Sequence, residues 1–145
     1  MKVFIVFLGL FIINVSFLSY QGDLGRYVRC QAFLKAVAEE CAAGAALYYD
    51  EAAYSDGQLR FYYEEGRSYI EYLIEESKKE MPLPQDSVIT YDVVFQDDYL
   101  GYEDAEGEDN PSVTLEITAA TRDLFRLPFL EVTEIKRAAM YELPQ

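Results

Sequence analysis

Val3–Tyr20 reads VFIVFLGLFIINVSFLSY, an uncharged run with Lys2 directly before it. A spanning helix needs roughly 17–25 predominantly apolar residues, and residues 3–20 fall inside that window. Asn14, Ser16 and Ser19 are its clearly polar members. A helix tolerates them, because an amide or hydroxyl can bond within its own helix or to a neighbouring one. Residues 1–22 are therefore expected to be a transmembrane anchor and residues 23–145 one extracytoplasmic domain. The competing reading is a cleaved secretory signal, with Lys2 as its basic end and Val3–Leu18 as its apolar core. The run is long for such a core. Its exit, Val15–Gly22 (VSFLSYQG), sets no two small residues at the A-x-A spacing a signal peptidase uses. A retained anchor is the favoured reading. Lys2 and the terminal amine flank the run on one side and Arg26 and Arg29 on the other. The expected placement is a single pass through the cytoplasmic membrane, with the short N-terminus inside and the domain outside.

About 125 residues remain after the anchor, enough for one core and one domain. The formal charge of −14 would repel a phosphate backbone, so nucleic acid is not an expected partner. The chain has no histidine. That removes the usual general base and the usual zinc ligand, and with them serine–histidine and cysteine–histidine catalysis. No nucleotide-binding glycine loop and no GxSxG is present. Carboxylate pairs such as Glu39-Glu40 and Glu64-Glu65 are consecutive and cannot face one substrate from a helix. No enzymatic activity, cofactor or small-molecule substrate is implied. An envelope hydrolase working through carboxylates alone has no supporting spacing.

From Arg26 to about Tyr54 the periodicity predicts a helix. Tyr27, Cys30, Leu34, Val37, Cys41, Gly44 and Tyr48 alternate three- and four-residue steps, forming an a/d seam. Beside it runs a small-residue stripe, Ala38, Ala42 and Ala46, which lets another backbone approach closely. The helix either covers its own domain's core or packs against other subunits, and different faces could do both. Gly22 and Gly25 are a weak point, and Asp23 between them could cap a new helix. Without a break, one helix would run from Val3 to Tyr54, about 78 Å at 1.5 Å per residue. Cys30 and Cys41 lie on the predicted helix, about 16 Å apart along the axis. A disulfide needs Cα atoms within roughly 7 Å, so these are buried thiols or bridges between subunits, the former preferred.

Ser55-Asp56-Gly57 breaks the pattern, and residues 58–81 predict a second amphipathic helix. Its apolar face is Leu59, Tyr62, Tyr63, Gly66, Tyr69, Ile70, Leu73 and Ile74, with Phe61 and Tyr72 off the pattern. Pro82 and Pro84 end it. Strands are predicted near 87–95, 112–121 and 131–143. Their inward residues are Ile89, Tyr91, Val93 and Phe95; Val113, Leu115, Ile117 and Ala119; and Ile135, Ala139, Tyr141 and Leu143. Helices first and strands after give an α+β domain: a small antiparallel sheet of about three strands covered by the two helices. Asp97–Asn110 (DDYLGYEDAEGEDN) is acid-rich enough to suggest calcium, yet it lacks the EF-hand order, and it reads as a solvated hairpin tip.

The order of parts resembles the TadE-like pseudopilins of the tight-adherence (Tad, or Flp) pilus system, with a pilin-like apolar N-terminal helix. The resemblance is carried by the alanine-rich continuation Ala36–Ala46 (AVAEECAAGAA), by Leu127-Pro128-Phe129, and by Val132–Ala139 (VTEIKRAA). Only Lys2 precedes the apolar run and no glutamate lies within it, unlike leader-processed major pilins. The resemblance thus implies an accessory or minor pilin-like subunit without enzymatic activity. Its partners would be the lipid bilayer and other pilin-like subunits or the pilus assembly platform. The alternative from a different class is a membrane-anchored module that binds a ligand or wall component through the sheet or the acidic loop.

Overall fold

Helical sequence continues without interruption through the glycines at 22 and 25. The computed structural model, which describes residues 1–102 and 110–143, carries one 44-residue helix, α1, over Lys2–Ala45. At 1.5 Å per residue it is about 66 Å long. Each glycine costs an internal helix only about 1 kcal/mol. A Cβ at Gly22 or Gly25 would meet nothing within 4 Å, so neither serves a close approach. The turns around them are instead held by contacts to the distant loop before the last strand. Asp23 therefore starts no helix; it lies inside one.

The predicted end near Tyr54 is corrected to Ala45. Asp50 Oδ1 accepts hydrogen bonds from the amides of Ala52 (3.0 Å) and Ala53 (3.2 Å). It thereby caps a separate short helix, α2, over Glu51–Ser55. The residues on either side of α2 pair with each other. Tyr62 N donates to Tyr48 O at 2.7 Å and Asp50 N to Arg60 O at 2.8 Å, around a bridge between Tyr49 and Phe61. Extended backbone at 60–62 delays the next helix, α3, to Tyr63–Lys78 rather than 58–81. Phe61, off the helical pattern, is a core residue at 1% exposure.

Three strands follow: β1 (Val88–Gln96), β2 (Ser112–Ala120) and β3 (Glu134–Glu142). They form an antiparallel meander with β2 in the centre. Tyr91 pairs with Ile117 on one side, and Ile117 with Arg137 on the other. Val113, Leu115, Ile117 and Ala119 are all fully buried, as the period of two predicts. Alternation fades along β3: Ile135 is buried, while Tyr141 is 40% exposed. The second half of α1 lies across β2 and β3, and α3 packs against α1. Tyr91 OH donates to Glu71 Oε1 at 2.9 Å, and Phe95 sits against Gly66, so α3 also reaches β1. Thr90, Asp92, Glu116 and Lys136 face outward on the other side of the sheet. The result is the expected α+β layout: a sheet and two covering helices, α1 and α3, of which α1 runs far past the head.

Candidate functional site

The part of α1 outside the head is apolar on every side. Its large side chains from Val3 to Leu18 range from 44% to 83% exposed. An 18-residue window has a mean hydropathy of 2.3 and none of it is buried by protein. A helix apolar all round needs an apolar surrounding. α1 is long and apolar enough to cross a membrane. Asn14, its internal amide, donates from Nδ2 to Leu10 O at 2.9 Å and is satisfied within the helix.

Where the bare half meets the head, a loop from the far end of the sheet folds back onto α1. Asp123 closes it: Oδ1 accepts from the amides of Phe125 and Val132, both at 3.0 Å. Leu124 N donates to Val132 O, and Leu130 N to Leu127 O, both at 3.1 Å. Phe125, 7% exposed, is wedged between Tyr20 and Tyr27, with ring centroids 6.0 Å from each. Asp23, 5% exposed, accepts from Arg126 N at 3.0 Å, and its other oxygen lies 3.7 Å from Arg126 Nε. Beyond this latch Leu127, Phe129 and Leu130 run alongside Ile12, Ile13, Phe17 and Tyr20 and leave an open groove between loop and helix.

The predicted seam and stripe lie elsewhere. Cys30, Leu34, Val37 and Cys41, with Ala38, Ala42 and Ala46, are buried inside the head. Tyr27 packs on Phe125. Gly44 lies under Tyr69, where a Cβ would stand 2.1 Å from Cε1. Tyr48 is 38% exposed and 5.7 Å from the Tyr69 ring. The helix thus spends the middle of its seam, Cys30 to Gly44, on its own sheet and on α3, and leaves Tyr48 at the surface. Both cysteines are free and buried. Cys30 Sγ donates to Pro82 O at 3.0 Å. Burial pushes the Cys41 thiol up to about 12, with the charge of Glu40 adding to it, and burial also raises Cys30. Such thiols are poor nucleophiles and poor metal ligands.

The acidic stretch divides into a described and an undescribed part; residues 103–109 lie outside the described residues. At its start Asp97 is fully buried rather than solvated. Its Oδ2 accepts from Phe61 N (2.9 Å) and Tyr63 OH (2.7 Å), and its Oδ1 from Tyr99 N (3.0 Å) and Leu100 N (2.8 Å). Asp98 Oδ2 accepts from Leu59 N at 2.7 Å and its Oδ1 from Tyr102 OH at 2.8 Å. The turn closes through Gly101, whose φ of 90° favours glycine. These carboxylates are structural acceptors with their lone pairs engaged. Among the described residues no cluster of acids or cysteines could hold a metal ion.

A shallow hollow lined by Tyr48, Tyr69, Tyr72, Glu64 and Glu65 carries aromatic surface on the head. Every buried polar side-chain atom described has a partner, so none is left aimed at a ligand. From sequence Asp23 reads as a cap and Asp97 as part of a solvated tip. Both readings miss what the residue does, since each acts through bonds to residues far away along the chain. The loop was visible only as Leu127-Pro128-Phe129. No known protein family, characterised protein or solved structure matches this chain.

Proposed function

We propose that this chain is a membrane-anchored, pilin-like structural subunit, accessory to a Tad/Flp-type pilus assembly system and not an enzyme. One observation carries the reading: a single unbroken helix whose second half is built into a small α+β head and whose first half has no protein cover. Such a helix can rest in lipid and exchange lipid for the equivalent helices of other subunits, because both surroundings satisfy the same apolar surface. In this reading the head lies outside the cytoplasmic membrane. The seam inside the head holds the head to the rod, and association falls to the bare half and to exposed surfaces of the head.

The test therefore belongs in the bare half. An aspartate at Ala42 would disrupt the chain's own core and say nothing about assembly. A photo-crosslinking residue at Phe7 or Phe11 leaves the head intact. The expected result is full-length protein in the membrane fraction, with crosslinks to itself or to subunits that have an apolar N-terminal helix, identified by mass spectrometry. Crosslinks to lipid alone would overturn the assembly role. Soluble protein lacking the first twenty or so residues would overturn the anchor.

A further inference from the structure

We infer that the loop Leu124–Leu130 is a second membrane contact, with Leu127 and Phe129 entering the interfacial layer of the leaflet nearest the head and Arg126 meeting lipid phosphates. The inference rests on the reading of α1 as an anchor and adds a site to it. Phe129 is 78% exposed, more than any large apolar side chain of the bare helix except Val3. It lies with Leu127 beside Ile12, Ile13 and Phe17, which belong to the uncharged run itself. Ile12 precedes Tyr20 by two turns, about 12 Å along the axis. If the bilayer covers that run, the loop cannot stay in water: its tip shares the depth of lipid-facing residues.

Three chemistries are stacked in the order a membrane surface presents. The apolar pair Leu127 and Phe129 is lowest, beside the stretch of helix that rises from Ile12 to Tyr20. Tyr20, in contact with Phe125, follows at the level where aromatic belts sit. Arg126, latched to Asp23, comes next, and Arg26 and Arg29 are exposed within two further turns. A chain with only 12 basic residues against 26 acidic ones gathers these three within two turns of the helix, where anionic headgroups attract them. Part of the loop backbone is also prepared for a poorly hydrated layer. The amides of Leu124, Phe125, Arg126 and Leu130 are bonded within the protein and Pro128 has none, which leaves the amides of Leu127 and Phe129 to the water of the interfacial layer. Unpaired backbone groups are what normally keep loops out of lipid. Two points of insertion, helix and loop, would fix both the depth and the rotation of the head on the membrane.

The chain has no tryptophan, so a single one reports on its own site. Phe129→Trp, Phe11→Trp and Tyr72→Trp are reconstituted as full-length proteins in vesicles of three parts phosphatidylethanolamine to one part phosphatidylglycerol. The lipids carry bromine at shallow or at deep acyl positions. The expected result is strong quenching of Phe11→Trp by deep bromines. Phe129→Trp should be quenched most by shallow bromines and show a blue-shifted emission. Tyr72→Trp, on the head, should be unaffected by either. Phe129→Trp that stays unquenched by lipid and open to iodide, while Phe11→Trp is quenched, overturns the loop contact and leaves the anchor standing. Phe129→Trp shielded from iodide yet unquenched by lipid means that protein covers the groove, and also overturns it. An unquenched Phe11→Trp removes the anchor itself. Vesicles without phosphatidylglycerol should reduce the quenching of Phe129→Trp, and the same reduction should follow from Arg126→Gln in the Phe129→Trp background.

Discussion

Replacing Asp97 tests the claim that a residue in an acidic loop is the main polar tie of the head. The side chain is fully buried and accepts four hydrogen bonds. Asp97→Ala strands all four donors, but not equally. Tyr99 and Leu100 are exposed at 68% and 58%, so their amides can turn to water. Phe61 N belongs to a residue 1% exposed, and the Tyr63 hydroxyl is packed with it. A buried donor left without a partner costs about 1–3 kcal/mol. Two of them, plus the lost attraction of a charged acceptor, put Asp97→Ala at about 4 kcal/mol, near the limit of what one substitution does. Asp97→Asn keeps one acceptor oxygen for Phe61 and Tyr63 and turns its amide toward the exposed donors, for a loss of about 1–2 kcal/mol. Asp98→Ala, at an exposed position, should cost about 1 kcal/mol. The assay is thermal unfolding of the full chain in detergent, followed by near-ultraviolet tyrosine circular dichroism. That signal reads the head, whereas the bare half of α1 stays helical in detergent. At about 4 °C per kcal/mol, Asp97→Ala should lower Tm by roughly 16 °C. A loss under about 1 kcal/mol, or Asp97→Asn as damaging as Asp97→Ala, would refute the argument. Calcium should leave the wild-type Tm unchanged, since the oxygens of Asp97 are engaged; a calcium-dependent rise would return the loop to the metal reading.

Gly44→Ala should destabilise the head by about 1–2 kcal/mol, because displacing the Tyr69 ring outweighs the helix-propensity gain. In a Tyr69→Ala background the same change should stabilise by about 0.5–1 kcal/mol, and equal effects in both backgrounds would refute the contact. The buried thiols give a pH dependence. The folded-state value for Cys41 is raised from 9.0 to about 12, so folding favours the protonated thiol. Its contribution is complete below pH 9 and is lost as pH climbs toward 12, at up to about 1.4 kcal/mol per unit. Urea midpoints between pH 9 and 10 should fall in the wild type and flatten in Cys41→Ala. A thiol reagent at pH 8 should label neither cysteine in the native protein and both in urea; prompt native labelling would show that the seam opens.

The inward faces of the strands and the buried face of α1 were legible because each depends on a period that one segment carries alone. Val113, Leu115, Ile117 and Ala119 repeat every second residue, and Cys30, Leu34, Val37 and Cys41 follow the helical step. Periodicity says that a face is covered but not by what, so the seam could be read as core or as contact between subunits. The end of α1 was misplaced for a different reason. Alanine-rich sequence favours helix through residue 46 and the pattern continues to Tyr48. The chain leaves the helix there because the backbone at 48–50 pairs with 60–62, a partnership no local window contains. Asp50, a good N-cap just before an alanine pair, was the local sign. Asp23, read as a cap, and Asp97, read as solvated, were given the wrong roles for the same physical reason: a buried carboxylate is justified by its donors, and those lie on other segments.

The division of α1 also limits how the proposed subunit could associate. A seam buried in the head holds head and rod together, so neither can be offered to a neighbour without unfolding the other. The apolar surface left open on α1 is then mainly that of the uncharged run, and in lipid that surface gives little preference for protein over acyl chain. Specificity must come from the features that break its uniformity: the gap left by Gly9, which has no side chain, the polar tip of Ser16, and the loop held against one side by Asp23. The loop covers only one side of the helix near Tyr20 and leaves the other free. A neighbouring helix could therefore approach at that level from one direction alone, which would give the proposed assembly its handedness. Releasing the latch with Asp23→Asn should weaken that restriction and broaden the positions on the bare half that crosslink, while insertion of the helix stays unchanged. An unchanged crosslinking pattern in Asp23→Asn would show that the loop guides nothing.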